Sequence, residues 1–482
     1  MVRARARVAA ALEAIHKNKQ PKAARVKNFL FFLANPTVFV ARRSFPGPST
    51  LAAMTSTQSP PPSAEPAELF VCGRLCLLGE HSDWAGAYPD DEVLPGKCLI
   101  VGTSTDQGLH ARVSLDPARA DTFTMVSTDD AGISRTRSFA MDDPESLREE
   151  ARAGGFWSHV AGTVWTLLRS EEHRDPVSGA PIRARVAEGL RRLPAGTGIR
   201  LENYKTTLPI KKGLSSSAAV CVLVARAFSR ALRLRLTPLQ EARLAFSGER
   251  ETPSRCGRMD QAGCAFGPGR LVTLTIVGED VRVELLRRVG RTLHLVVADL
   301  AAAKDTVSIL RDLQDAFGDD ATRPPRRLAE PSARERDRRR DIARDLRSLL
   351  GKTNHAFVAA AVSAVERGDA DALGAVFEDA QSAFDATAGA ASPANLGVLG
   401  SPVLHATRTS PKLRPHVLGG KGVGSQGDGS VQFLCRGAED AARCVNVLRD
   451  DFGMRDAFVL EVPGTAETKP TETAEGNAGH AA

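Results

Sequence analysis

The chain has 482 residues, 42% of them hydrophobic and 25% charged, which excludes a fibrous or wholly disordered protein and is too long for one ordinary core, so two domains with flexible ends are expected. The formal net charge of +7 is concentrated in residues 1–45 and in an Arg-rich run near 323–347. Without the first of these the balance is close to neutral, so nucleic acid is not implied as a partner, while a basic cleft for a phosphorylated cofactor remains compatible. The eight cysteines form no CxxC pair and no metal-type spacing with histidine, which fits reduced, buried thiols in an intracellular, cytoplasmic protein.

In chain order, residues 1–50 hold one acidic residue, Glu13, among many Arg and Lys. Such a leader resembles an organelle transit peptide, which would direct the protein to a plastid or mitochondrion; the alternative is that translation starts at Met54. The apolar stretch 29–41 is too short to span a membrane and contains Pro36, and no membrane span is expected elsewhere. A Pro/Ser-rich linker at 56–66 follows. The runs 69–78 and 99–113 predict strands, and 158–168 a helix. Residues 184–204 fit a helix or paired strands. Helices are expected at 215–232 and 241–251, and strands at 271–286 and 293–299. Residues 318–340, with three prolines and many Arg and Asp, predict an exposed linker or insertion. A helical region spans 342–384, a glycine-dense segment 419–429 leads into a strand at 430–435, and the tail beyond 463 is expected to be disordered. No internal repeat is present. Strands and helices in this irregular order predict an α+β fold.

One stretch carries chemistry most plainly: Pro209-Ile-Lys-Lys212-Gly213-Leu214-Ser215-Ser216-Ser217-Ala218-Ala. Glycine allows a tight turn close to a ligand, and serines at a helix N-terminus offer hydroxyls and unpaired N–H groups where the helix dipole favours anions. A serine there could also ligate Mg²⁺. An ordinary N-cap would explain one serine, though not so readily the whole run. No Walker-type phosphate loop is present. Upstream, Arg74, Glu80, His81 and Asp83 cluster after a predicted strand, either as a solvated polar turn or as convergent groups for a polyol. Asp260 either caps a turn or acts as a base beside an arginine. Glu249 is either an exposed helix residue or a functional carboxylate. Lys304 and Asp305 could face the pocket, but a strand-to-helix turn with Asp305 as cap is the favoured reading; Trp84 and Trp157 read as core or pocket wall.

These segments together resemble the GHMP kinases. The stretch 209–219 is similar to their second motif, Gly73–Gly86 to the galactokinase signature, Cys256-Gly-Arg-Met-Asp260-Gln to the segment with the catalytic aspartate, and 419–429 to the glycine-rich third motif, including Gly420, Gly422, Gly424 and Gly427. The resemblance implies a two-domain fold, with a ribosomal protein S5 domain 2-like N-terminal part at 67–300 and a ferredoxin-like C-terminal part at 301–463. It implies catalytic roles for Asp260 and Arg74, sugar contacts from Glu80, His81 and Asp83, ATP binding by Lys212 to Ala218, and Mg²⁺ on Ser217 and Glu249. The activity implied is ATP-dependent phosphorylation of a sugar hydroxyl, the anomeric one of galactose or of an arabinose- or glucuronate-type sugar. The alternatives are a mevalonate-kinase-like enzyme and a silent sugar- and ATP-binding regulator. The third motif departs from the family at Gln426 and Asp428, and an acidic Asp428 beside phosphates must point away or meet a cation. The partner expected is a small sugar, with a monomer and a dimer equally compatible.

Overall fold

The computed structural model describes residues 65–465 apart from 89–94, 106, 130, 176–177, 209–212, 255, 279 and 319–331. The basic leader, residues 56–64 of the linker, 466–482 of the tail, Lys212 and much of the Arg-rich run lie outside the described residues.

The run at 69–78 is not one strand but two, β1 (Ala67–Cys72) and β2 (Arg74–Leu78), in different sheets. Gly73 is where the chain changes sheet. A Cβ there would lie 2.5 Å from the Leu208 side chain and 2.8 Å from the Leu214 carbonyl oxygen, so a larger residue would push the chain off this path. A short helix, α1 (Ser82–Ala85), follows, then β3 (Gly96–Gly102) and β4 (Gly108–Asp116), which pair antiparallel with β2 and β1 respectively. Next come β5 (Thr122–Thr128), β6 (Ser134–Ala140), α2 (Pro144–Ala153) and α3 (Ser158–Arg169). The ambiguous stretch at 184–204 resolves as α4 (Ile182–Arg191) and then β7 (Gly198–Thr206). The first sheet has the order β1-β4-β7-β5-β6, with β5 and β7 parallel.

Helix α5 (Ser216–Ala231) is apolar nearly all round and fully buried along most of its length, packing on β1, β4 and α3. Helices α6 (Pro238–Arg250) and α7 (Met259–Phe266) pack beside it, the first opened by a capping box between Thr237 and Gln240. Strands β8 (Leu271–Val277) and β9 (Asp280–Leu285) complete a second sheet, β2-β3-β8-β9. A third sheet, antiparallel throughout, has the order β11 (Val417–Gly422), β12 (Ser430–Cys435), β10 (Leu293–Asp299), β13 (Phe458–Val462).

Between β10 and β11 the chain is helical: α8 (Thr306–Phe317), α9 (Ala333–Ser348), a π-helical turn at Leu349–Thr353, α10 (Asn354–Arg367), α11 (Ala370–Ala391), α12 (Gly397–Gly400) and α13 (Pro402–Arg408). Helix α14 (Ala438–Phe452) precedes β13. The described end of the run expected as a linker, 333–340, is therefore helix. Ser332 caps it by accepting from the Glu335 N–H at 3.2 Å, Arg339 pairs with Glu335 at 2.7 Å, and arginine is itself a good helix former. The π turn anchors α1. Ser82 donates to the Leu350 carbonyl at 2.6 Å, and Asn354 donates to Ser82 Oγ and to the Lys97 carbonyl, each at 2.7 Å. These bonds tie the helical region to α1, whose Asp83 and Trp84 line a cleft.

All eight cysteines are free thiols, seven of them buried and Cys256 half-buried. Among the described residues no helix is long and apolar enough to cross a membrane.

Candidate active site

The cleft, of about 980 Å³, opens between the start of α5, the turn before α7, α1 and the segments after β10 and β11. Its central contact joins three distant parts of the sequence. Arg74, the first residue after the sheet change, donates from Nε at 3.0 Å and from Nη2 at 2.6 Å to Asp260 Oδ1, and from Nη1 at 2.7 Å to the Gly213 carbonyl. The guanidinium thus fixes the carboxylate beside the entrance to α5, and both of its bonds to Asp260 fall on one oxygen, leaving Oδ2 unengaged by Arg74. Arg74 is buried, while the Asp260 side chain keeps 21% of its surface exposed to the cleft.

At the helix entrance Gly213 has φ of 76° and Ser215 φ of 63°, both left-handed. Helix α5 has no side-chain cap, so the first N–H groups behind Ser215 have no side chain to satisfy them. Ser215 Oγ is buried without a partner among the described residues. Gly213, Ser215, Ser216 and Ser217 line the cleft, whereas Leu214 and Ala218 are in the core. Glu249, at the end of α6, is buried beside this entrance, only 2% exposed. Burial opposes its charge, but the nearby His159 imidazole, 3.7 Å away, Ser217 and the Gln261 amide, which donates to it at 2.8 Å, outweigh burial and hold the carboxyl below the usual range.

On the opposite wall are His81 and Asp83. His81 takes φ of 68°, stacks on Phe384 and accepts at Nδ1 from Trp84 Nε1 at 3.0 Å. Nε2 therefore carries the ring proton, and Ser425 lies near it without closing a hydrogen bond. Burial lowers the ring's pKa to about 4, with Lys304 and Lys421 adding to the effect, so the ring is neutral at physiological pH. Asp83 is pushed the other way, up to about 7, by burial and then by Asp260. Gly257 explains how the turn before α7 reaches it: a Cβ there would sit 1.7 Å from Asp83 Oδ2.

Glu80 lies elsewhere. It is buried in an ion pair with Lys421 of β11 and does not line the cleft, because the lysine draws its carboxylate behind the wall. Of the third-motif glycines Gly424 lines the cleft, and a Cβ on it would come 3.7 Å from Gly213 Cα. Gly420, Gly422 and Gly427 lie off it; Gly420 and Gly422 instead make room for Phe433 and for the Gln426 amide. Gln426 is also left-handed, with φ of 66°. Asp428 points away, accepting from the Val403 and Leu404 N–H groups at 3.2 and 2.8 Å and so capping α13. Asp305 caps α8 as expected, accepting from the Ser308 N–H at 2.9 Å. Two residues escaped the sequence reading: His159, inside an ordinary amphipathic helix, and Lys421, whose only signal was a lone charge among glycines; Lys304 and Asp305 line the cleft, the reading placed second to a plain turn.

Residues 182–268 match the profile of the GHMP kinases N terminal domain, a span that contains Ser215, Ser217, Glu249 and Asp260. The fold matches Lactococcus lactis galactokinase complexed with galactose, at TM-score 0.57 and 15% identity over 83% of this chain and 94% of that one. Residues 182–268 therefore carry a GHMP kinases N terminal domain, and the fold around it is one that GHMP kinases share. The chain also resembles in fold the L. major mevalonate kinase in complex with R-mevalonate (TM-score 0.51, 14% identity, 84% and 98% of the two chains). A third likeness is to Streptococcus pneumoniae phosphomevalonate kinase in complex with phosphomevalonate and AMPPNP (TM-score 0.50, 13% identity, 82% and 100%). No curated protein matches the chain. The chain has the expected α+β architecture, and the profile match covers the entrance of α5 and the turn into α7.

Proposed function

We propose that this kinase transfers the γ-phosphoryl group of ATP to a hydroxyl of a sugar, the anomeric hydroxyl of galactose or of a related arabinose- or glucuronate-type monosaccharide. The observation that carries the reading is the Arg74 bridge between Asp260 and the Gly213 carbonyl, because it puts a carboxylate and the phosphate cradle on one guanidinium. The unsatisfied entrance of α5 and the orphaned Ser215 hydroxyl fit phosphate oxygens. Asp260 Oδ2 accepts the proton of the acceptor hydroxyl as its oxygen bonds to the γ-phosphorus and the bond to ADP breaks. Arg74 holds that carboxylate in place beside the cradle. His81 donates from Nε2 to an acceptor oxygen, and Asp83 meets a second hydroxyl. Glu249 and Ser217 fit Mg²⁺ as two hard oxygen ligands, the phosphates and water supplying the rest; the ion would neutralise charge on the phosphates.

The mevalonate-type alternative is favoured by one feature, the withdrawal of Glu80 from the cleft by Lys421, which removes a sugar contact that the galactokinase resemblance implies. A silent regulator is disfavoured by the joined Arg74 and Asp260. The test is release of ADP by the purified protein with MgATP and a panel of monosaccharides. Turnover of at least one sugar above the acceptor-free rate is expected. Melting-temperature shifts with sugars but no ADP would favour the regulator, and turnover of mevalonate alone would overturn the sugar reading.

A further inference from the structure

Lys304 stands between β10 and α8, where its ammonium would be costly to hold without a purpose. The chain makes room for it. A Cβ at Gly429 would lie 2.3 Å from Lys304 Cδ and 2.7 Å from Nζ, so the glycine that ends the third motif gives up its side chain to let the lysine lie across the backbone. Gly429 does not have a left-handed φ, so space and not backbone freedom accounts for it. In this position Nζ lines the cleft and makes a long hydrogen bond, 3.5 Å, to the Val423 carbonyl, and no ion pair among the described residues includes it.

The neighbouring cations are already matched. Arg74 pairs with Asp260, and Lys421 with Glu80. Asp299 and Glu80 support the Lys304 charge only through space, while burial and Arg74 lower its pKa to about 8. A half-buried ammonium with one long bond to a carbonyl gains most from a bound oxyanion. Lys304 also acts on His81, whose unpartnered Nε2–H faces the same cleft, whereas the nucleotide cradle at Ser215–Ser217 is served by N–H groups, hydroxyls and Glu249.

We propose that Lys304 is a specificity-determining residue that binds an anionic group of the acceptor, a carboxylate or phosphate, so that the preferred substrate is an acidic alcohol and not a neutral one. This deepens the assignment of the cleft as a kinase site and rests on it. D-galactose and D-galacturonate differ only in the carboxylate, so wild-type protein with MgATP compares them without any substitution; (R)-mevalonate adds a carboxylate on a non-sugar alcohol. The expected result is a kcat/KM about tenfold or more higher for an acidic acceptor than for galactose. Lys304→Met should lose roughly 10–100-fold on that acidic acceptor, mainly through KM, as for a charged hydrogen bond, while Lys304→Arg recovers part of it and KM for MgATP stays within about twofold. Gly429→Ala should have the same sign by displacing the stem.

The outcomes separate the two claims. Preference for mevalonate, weakened by Lys304→Met, supports the acidic-acceptor inference and overturns the sugar reading. Preference for galactose over both acids overturns the inference and leaves the sugar reading standing. Lys304→Met kinetics equal to wild type overturn the inference. A loss confined to KM for MgATP does so as well, since it would place the lysine on the nucleotide. Absence of turnover with every acidic acceptor likewise overturns it.

Discussion

Replacing Asp260 by Asn tests the central contact of the cleft. Both bonds from Arg74 end on Oδ1, at 3.0 and 2.6 Å, and an asparagine carbonyl can occupy that place and still accept them. The guanidinium also keeps its bond to the Gly213 carbonyl, so the α5 entrance should hold its shape. The cost to folding should therefore be that of a weakened charged hydrogen bond, about 1–3 kcal/mol, and not that of an abandoned buried arginine. Catalysis loses more. An amide cannot accept the acceptor's proton, and a positioned base contributes roughly 10²–10⁴-fold, so kcat should fall by about that factor. Steady-state ADP release, with the acceptor the wild type turns over best, measures kcat; titration with a non-hydrolysable ATP analogue measures nucleotide affinity, expected to change less than about threefold. A folded variant that retains kcat within about tenfold, or that loses only nucleotide affinity, would refute the assignment of Asp260 as base.

Glu249→Gln should raise the Mg²⁺ concentration for half-maximal rate by about tenfold or more, read from a metal titration at saturating ATP; an unchanged midpoint would remove Glu249 from the metal site. In Gly257→Ala the new methyl would meet Asp83 Oδ2 at 1.7 Å, so a loss of about 1–3 kcal/mol in denaturant unfolding and a raised acceptor KM are expected, and wild-type values for both would contradict this packing. The folded pKa of Asp83, about 7, is above that of an exposed aspartate, so its contribution to stability is complete at low pH and is lost as pH rises through 7; His81, lowered to about 4, contributes the opposite slope between about 4 and 6.5. Asp83→Asn should flatten the decline above the His81 range, measured as melting temperature from pH 6.5 to 8, and an unchanged profile would argue against a raised pKa.

What could be read in the sequence was local. The α5 entrance announces itself because glycine, serines and a buried helix are adjacent, whereas Asp260 stood between a turn cap and a base until the family resemblance implied the second. Ser430–Cys435 was legible as a strand from its apolar run alone. The sheet change at Gly73 was not, since an apolar run reads the same whether its two halves share a sheet or part company. Nor could sequence reveal the Glu80 to Lys421 pair, whose members are 341 positions apart. Glu80 looked like a ligand because it clusters with Arg74, His81 and Asp83, and nothing in the sequence reveals that a distant lysine takes its charge. The described end of the Arg-rich run misled for another reason: charge density suggested solvated coil, but acids spaced three and four residues from the arginines made a helix instead. Lys304 could be offered as pocket-facing but not preferred, because the residue that makes room for it, Gly429, lies 125 positions away.

His81, Ser215 and Gln426 share a backbone conformation that side-chain-bearing residues adopt only at a cost of about 1–3 kcal/mol each, and two of the three line the cleft. Laboratory selection for heat resistance would therefore be drawn to these positions, where glycine or asparagine removes the penalty. Such changes at 81 or 215 would also release the imidazole or the helix entrance that the penalty holds in place. Hardiness and speed should trade against each other here, since at 81 the same change also gives up the stacking on Phe384 and the bond from Trp84.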